Sequence, residues 1–546
     1  MELTLVSFYQ FLPLSLVSSM PPEKIIAAID IGTNSIHMVV VRIQPNLPSF
    51  TIITSEKATV RLGERCTKTG NLLPEAIQRS LVALQRCRDI CQTLKVEAII
   101  AVATSATREA PNGLEFLELV EQQTGIEVEL ISGQEEARRI YLGVLSAMEF
   151  EGKPHVVFDI GGGSSELILG DGHDPEYLSS TKIGAVRLTE LFVQSDPVTN
   201  SEFERLQSYV RGMIERPTDE LRQNLKGHPV RMIGTSGTIE AIAILQAKDK
   251  NLELPANLHG YQITLAEIER VVQRLKKSQL SDRIAWVKEK RAEIILAGGV
   301  ILLETMRLLG ASQITLCTRA LREGLIVDWM INRGLIEDRL RYQSSVRDRS
   351  VLKLAHKYQV NLNYSHQVAK LALSLFDQTQ GTLHNSTEME RKLLWAAAIL
   401  HNSGHFISHD AHHKHSYYLI RHGGLLGHTE TEIEAIANLA RYHRRSEPKK
   451  RHDNYRRLST NRRLRQFVDQ IYPLLRLAVA LDRRQIKAVA AVKLTCQPKS
   501  RQCLLEIVPT HPDDPCTLER WSLEYKKIAF EQQYQMQLAI VGPTPL

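Results

Sequence analysis

Two aspartates, Asp30 and Asp159, each stand at the end of an apolar run and open the same pattern, Asp-Ile-Gly-x-x-Ser. The copies lie in AAIDIGTNSIHMVVV (Ala27 to Val41) and VVFDIGGGSSELILG (Val156 to Gly170), so that Asp30 to Ser35 matches Asp159 to Ser164. Each reads as strand, tight turn, strand. Glycines let backbone N–H groups close on an anion, and flanking hydroxyls add donors. Thr33, Asn34 and Ser35 are the candidate phosphate donors of the first turn; Gly161, Gly162, Gly163, Ser164 and Ser165 are those of the second. A carboxylate at the mouth of such a turn can hold a hard divalent cation against phosphate oxygens. That role goes to Asp159, with Asp30 acting through water and Glu166 as a second ligand. Glu166 follows Asp159 by seven residues, and the intervening turn leaves open which face it takes. One such turn would be explained by hairpin geometry alone. Two, each with an aspartate at a strand end, point to a phosphate-binding cleft between duplicated units.

Hydrolysis of a phosphoanhydride also needs an in-line water and a base to orient it. Glu135 and Glu136 follow an apolar strand and Gly133, in ISGQEEAR, and on residue type alone either qualifies. Both also suit the first turn of a helix, where acids favour the macrodipole. Arg108, just past another strand, is placed to fork onto a terminal phosphate or to pair with Glu109.

The elements that must position these groups alternate. Strands are expected at Ile26–Ile43 (a hairpin), Phe50–Glu56, Ala98–Val102 and Glu127–Ile131, with helices at Pro74–Leu94, at Gly113–Gln123 and from Ala137 to about Met148. A second α/β lobe continues to about residue 325, with a strand and Gly/Ser/Thr turn at Arg231–Thr238, a helix starting near Ala297–Val300, a strand at Ile314–Leu316 and a turn at Thr318–Gly324. Residues from about 340 to 490 have helical period and many histidines. After that, strands at Ala490–Cys496, Cys503–Val508 and Met536–Val541 surround a helix at Thr517–Gln533. The expected division is a leader at 1–22, lobes at 23–140 and 141–330, an all-α domain at 331–490 and a small α+β domain at 491–546.

Bulk properties set limits. The 546 residues make room for three or four domains at ~100–200 residues each. Seven cysteines without a Cys-x-x-Cys pair make neither a disulfide framework nor a zinc knuckle, and fit a reducing cytoplasm. The first 20 residues are apolar but lack the basic start of a signal peptide, which reads as a poorly ordered leader or a start at Met20. No stretch has membrane length, so a soluble protein is expected. The net charge of +7 is concentrated: Arg441–Arg465 holds eleven Lys/Arg against two acids, a local excess of nine. Arg444, Arg445, Lys449, Lys450 and Arg451 are therefore candidate polyanion contacts, with a solvated loop as the alternative.

With both turns, SATRE (Ser105–Glu109), ISGQEEAR and the GTSGT turn (Gly234–Thr238) in place, the sequence closely resembles the exopolyphosphatase/guanosine pentaphosphate phosphohydrolase (Ppx/GppA) family over about residues 24 to 530. The resemblance implies the two-lobed α/β core shared with actin, sugar kinases and acetate kinase (a duplicated ribonuclease H-like fold). It also implies a degenerate HD-type helical domain and a small α+β domain after that core. It selects Glu136 as the base and Arg108 as the cleft arginine, and adds Gly237 and Arg322 as phosphate-binding residues. Arg319 stands where relatives carry glycine, adding charge or obstruction. His366, His401-Asn402 and Asp482 follow the HD pattern, but Asn402 replaces its aspartate, which argues against a working two-metal site there. His405, His409, His412, His413 and His415 lack zinc spacing and read as packing and polyanion contacts.

The expected activity is Mg²⁺- or Mn²⁺-dependent, processive removal of terminal phosphate from inorganic polyphosphate, the basic block guiding the chain. The alternatives are hydrolysis of guanosine pentaphosphate and a nucleotide-gated regulatory protein without turnover. A homodimer is implied; no membrane and no specific nucleic acid partner are expected.

Overall fold

The computed structural model describes residues 23–44, 49–65, 69–249, 258–287, 289–336, 346–449 and 451–542. The expected leader lies outside them. The chain forms two units, one drawn from Met1–Lys250 and Ile263–Ser344, the other from Asn251–Gln262 and Ser345–Leu546.

The first unit is built on two sheets of matching topology. In the first, β1 (Lys24–Ile31), β2 (Ser35–Gln44) and β3 (Ser49–Thr59) form an antiparallel meander, and β4 (Ala98–Ala103) and β5 (Val128–Leu130) extend it parallel to β1, in the order β3-β2-β1-β4-β5. In the second, β6 (His155–Ile160), β7 (Ser165–Gly170) and β8 (Tyr177–Thr181) repeat the meander. Here β9 (Met232–Thr235) joins β6 in parallel, and β11 (Gln313–Leu316) and β10 (Gln262–Thr264) complete the order β10-β11-β9-β6-β7-β8. Central strands covered on both faces read as unbroken apolar runs, which is the reason β1 (KIIAAIDI) and β6 (HVVFDI) show no polar alternation. The first sheet packs through Ile29, Met38 and Val40 onto Leu81, Leu84 and Cys87 of the helix Pro74–Thr93, whose proline occupies the first turn.

The helix Gly133–Leu145 runs through the expected boundary at 140 and belongs to both sheets' surroundings. It meets the helix Leu321–Asn332 at a crossing that only glycine permits. A Cβ on Gly143 would lie 2.0 Å from the Ala320 carbonyl oxygen, and one on Gly324 would lie 1.7 Å from that of Arg139. This close crossing fixes Glu136 and Arg322, which sit on the two helices, relative to one another.

The second unit is helical from Val346 to Ala480, as its period implies, and ends in β12 (Val489–Gln497), β13 (Gln502–Pro509), the helix Thr517–Tyr534 and β14 (Gln537–Val541). One continuous core joins Val368, Leu394, Ile436 and Leu474 of its helices to Leu494, Leu505, Phe530 and Leu538 of its terminal part. The sequence reading of thiols without a disulfide framework meets one exception: Cys496 and Cys503, directly opposed across β12 and β13, form a disulfide. Among the described residues, no helix is long and apolar enough to cross a membrane.

Candidate active site

The two Asp-Ile-Gly hairpins are superimposable in their bonding. In each, the first turn glycine donates its N–H to the carbonyl of the serine three residues on, Gly32 to Ser35 at 3.2 Å and Gly161 to Ser164 at 3.0 Å. In each, the aspartate is paired across the strands with the residue seven further along: Asp30 with His37, Asp159 with Glu166. The odd offset is therefore resolved by the turn, and Glu166 faces the same side as Asp159.

The turns touch. Thr33 packs against the second turn so closely that a Cβ on Gly162 would lie 3.0 Å from Thr33 Cβ, and one on Gly163 would lie 2.8 Å from Thr33 Oγ1. The carbonyls of Gly161 and Gly162 accept from Ala185, Val186 and Arg187, leaving the Gly162 and Gly163 N–H groups without a backbone acceptor among the described residues. Backbone N–H groups left without an acceptor at a turn can bind an anion.

Around this junction lies a cavity of about 380 Å³. It is lined by Asp30, Thr33, Asn34, Ser35, Glu136, Asp159, Gly161, Gly162, Gly163, Ser164, Glu166, Gly237 and Arg322, all expected from the sequence. Two expected residues are elsewhere. Arg108 borders an adjoining cavity that shares Ser164 with the first; its Nη1 donates to the Ile131 carbonyl at 2.7 Å and lies 3.3 Å from Glu136 Oε2. It therefore reaches the cleft through Glu136, while Glu109 is taken by Arg187 at 2.9 Å. Ser165 must be corrected: its hydroxyl donates to the Ile183 carbonyl at 2.6 Å, because strand alternation turns it away from the face that Glu166 occupies.

Glu135 and Glu136 separate cleanly. Ser132 caps their helix by accepting from the Glu135 N–H. The Glu135 carboxylate is held by Arg138 at 2.7 Å and Arg139 at 2.6 Å on the outer face, while Glu136 is buried on the cavity. Gly133 admits Ser180 to this corner, since a Cβ there would meet Ser180 Oγ at 2.6 Å, and Ser180 in turn donates to Glu166 Oε1 at 2.8 Å.

Asp30, Glu136, Asp159 and Glu166 share this cavity with Glu56 and Glu240, and burial is the first cause that raises each of the first four. Asp30 is pushed up to about 6 against the pull of Arg322, and Glu166 to about 8 with repulsion from Asp159 second. Glu136 rises well above the usual range through burial and Glu166, in spite of Arg108; Asp159 rises likewise through burial and Glu136. Hard oxygen donors with mutual repulsion suit a divalent cation. No three His, Cys, Asp or Glu side chains among the described residues already form a cage for one. Mg²⁺ takes one or two carboxylates with waters and phosphate oxygens, so the Asp159–Glu166 pair fits it.

Residues not foreseen complete the site. His37, whose Nε2 lies 2.9 Å from Ser35 Oγ, is lowered to about 3 by burial, Lys57, Arg322 and Arg291, and stays neutral. Lys57, Thr104, Ser105, Glu240 and Arg291 also line the cavity. Ser236 holds φ at +113°, a left-handed strain that turns the chain sharply between β9 and the helix beginning at Gly237. Gly237 lets the Arg291 guanidinium approach, at 2.4 Å from where a Cβ would be. Arg319 does not line the cavity; it stacks over Phe50 at 4.3 Å and donates to Ser146 Oγ at 2.8 Å.

In the helical unit, His366 is exposed, His401 is buried with Nδ1 on the Ala398 carbonyl, and the Asp482 carboxylate accepts from the Lys487 N–H. Among the described residues, they form no group of three that could hold a metal ion. Of the basic block, Arg444 bonds to His412, Arg445 lies 3.9 Å from Asp410, and Lys449 and Arg451 are exposed. Lys450 lies outside the described residues.

The Ppx/GppA phosphatase family model matches residues 39–333, and the model of its domain III matches residues 346–527. Guanosine-5'-triphosphate,3'-diphosphate pyrophosphatase of Vibrio parahaemolyticus is 32% identical over 77% of this chain and 80% of its own length. The protein of that name in Aliivibrio fischeri is 32% identical over 88% of this chain and 90% of its own. A solved exopolyphosphatase from Cytophaga hutchinsonii, 27% identical, aligns with 57% of this chain and 98% of its own at a TM-score of 0.53. The two-lobed core, with its repeated sheet topology, has the fold of that exopolyphosphatase.

Proposed function

Because the chain belongs to the Ppx/GppA phosphatase family, we propose that it removes the terminal phosphate from the 5'-triphosphate of guanosine 5'-triphosphate 3'-diphosphate, with Glu136 as the base. The observation that carries the chemistry is the contact of the two turns around one cavity that also holds the buried Glu136 carboxylate. The substrate rests on the two pyrophosphatases, to which this chain is similar over most of both lengths.

In this reading the N–H groups of Gly162 and Gly163, with Thr33 and Ser164, hold the terminal phosphoryl oxygens. Arg322 and Arg291 balance the charge of the remaining phosphates from the opposite wall. Glu136 accepts a hydrogen bond from water on the far side of that phosphorus and takes its proton as the water oxygen bonds to phosphorus and the bridging P–O bond to the departing nucleotide breaks. A raised carboxylate is a stronger base, and Arg108 fixes which way it points. Asp159 and Glu166 would hold Mg²⁺, which supplies positive charge to the transferring group.

A second reading, inorganic polyphosphate, is favoured by the excess of nine positive charges in Arg441–Arg465 and by the solved exopolyphosphatase. The block argues less strongly than its composition, since Arg463 pairs at 2.9 Å with Glu390, an acid outside it. Phosphate release from guanosine pentaphosphate and from long polyphosphate, each with Mg²⁺ and with chelator, separates the two. We expect kcat/KM at least tenfold higher for the nucleotide; the reverse order would transfer the assignment to polyphosphate. Glu136→Gln should lose about 10²–10⁴ in kcat while binding persists.

A further inference from the structure

The helical unit contains a cavity of about 680 Å³ that is opposite in character to the catalytic one. No aspartate or glutamate lines it. Arg444, Arg483 and Lys526 do, and none of the three is within ion-pair distance of a carboxylate among the described residues. Burial and then the three guanidiniums of Arg476, Arg444 and Arg483 pull the Lys526 ammonium down to about 8. Cations collected in a concavity with no carboxylate at ion-pair distance are an incomplete arrangement that an anion would complete.

Two further features describe that anion. Trp521 and Tyr525, one turn apart on the helix Thr517–Tyr534, line the same cavity and meet edge to face at 4.9 Å. Trp521 is 56% and Tyr525 63% exposed, so flat apolar faces stand open beside the cations. The cavity also holds unused polarity: Ser365, wholly buried, lines it with an Oγ that has no hydrogen-bond partner among the described residues. Wholly buried His401, also without a partner at Nε2, lies behind the lining rings of Tyr364 and His443, at 5.6 and 5.0 Å between centroids. The volume falls within the roughly 300–1,000 Å³ of small-molecule sites.

We propose that this cavity binds a nucleoside polyphosphate, its phosphates on Arg444, Arg483 and Lys526 and its base on Trp521 and Tyr525. An inorganic phosphate chain would use the cations and leave the rings idle, whereas base stacking on an aromatic face uses both. The catalytic cleft has no such aromatic platform among its lining residues.

GTP, ATP and inorganic tripolyphosphate, titrated into the full chain carrying Glu136→Gln, test the site by tryptophan fluorescence. GTP or ATP should quench saturably, and Trp521→Phe should remove that quench. The pair Arg483→Gln with Lys526→Gln, made in the catalytically intact chain for a control of folding by unchanged phosphate release, should raise the nucleotide Kd at least tenfold. Tripolyphosphate should compete at least tenfold more weakly than GTP. The proposal fails if tripolyphosphate competes equally, or if no quench develops at millimolar nucleotide. It fails equally if Arg322→Gln abolishes the quench while the Arg483/Lys526 pair does not, because the nucleotide would then be in the catalytic cleft. A Trp521 signal that follows protein concentration and not nucleotide would assign the aromatic face to a second copy of the chain.

Discussion

The two Asp-Ile-Gly hairpins have the same turn, the same internal hydrogen bond and the same strand register, yet they carry opposite electrostatics. In the second, Asp159 faces Glu166 across the strands, with Glu136 beside them; in the first, Asp30 faces neutral His37, with Lys57, Arg322 and Arg291 in range. In the proposed reading, one backbone solution to gripping a phosphate is divided between a carboxylate wall and a cationic wall. The difference teaches that duplication preserves what the main chain does, while the residue opposite each aspartate sets whether that side would hold a metal or balance a phosphate.

The largest effect should come from Asp159→Asn, which removes a carboxylate from the wall that would hold Mg²⁺. We expect kcat for phosphate release to fall about 10³-fold or more. Asp30→Asn, the same change in the other hairpin, should cost about 10- to 10²-fold, since the neighbouring cations already supply charge there. Equal losses would erase the asymmetry.

A smaller effect is expected in stability. Carboxylates whose folded pKa is raised contribute full stability below their unfolded values and lose it as pH rises through the folded ones. For Asp30 that window runs from 3.8 to about 6, and for Glu166 from 4.5 to about 8. Without divalent cation, Tm should therefore fall as pH rises from 5 to 8, and fall less in Glu166→Gln. Mg²⁺ should raise Tm at pH 8 more than at pH 5. A cation effect independent of pH would detach the carboxylate wall from metal. The smallest effect is reserved for Ser165→Ala: about 1 kcal/mol or less of stability from the lost bond to Ile183, with kcat within twofold.

Much of this was legible because the signals are local. Glycines after an aspartate at a strand end mark a turn whatever surrounds it, and their repetition marked the cleft. The choice between Glu135 and Glu136 was also available: Arg138 and Arg139, three and four residues beyond Glu135, draw that carboxylate outward and leave its neighbour for the cavity. Ser165 was misplaced because period-two alternation resumes at the first strand residue after the turn. His37 escaped notice because its role depends on register with Asp30, and Lys57 and Arg291 because they arrive from distant segments. The basic block illustrates the opposite error. Composition counts the charges inside the block, but Glu390, outside it, has already claimed Arg463.

Whether both hairpins act on one phosphoryl group is tested most directly by a double-mutant cycle of Asp30→Asn with Asp159→Asn on phosphate release. Groups that work as a unit give losses that do not add in free energy. The double variant should be little worse than Asp159→Asn alone; losses that multiply in full would mean that the two turns serve separate sites.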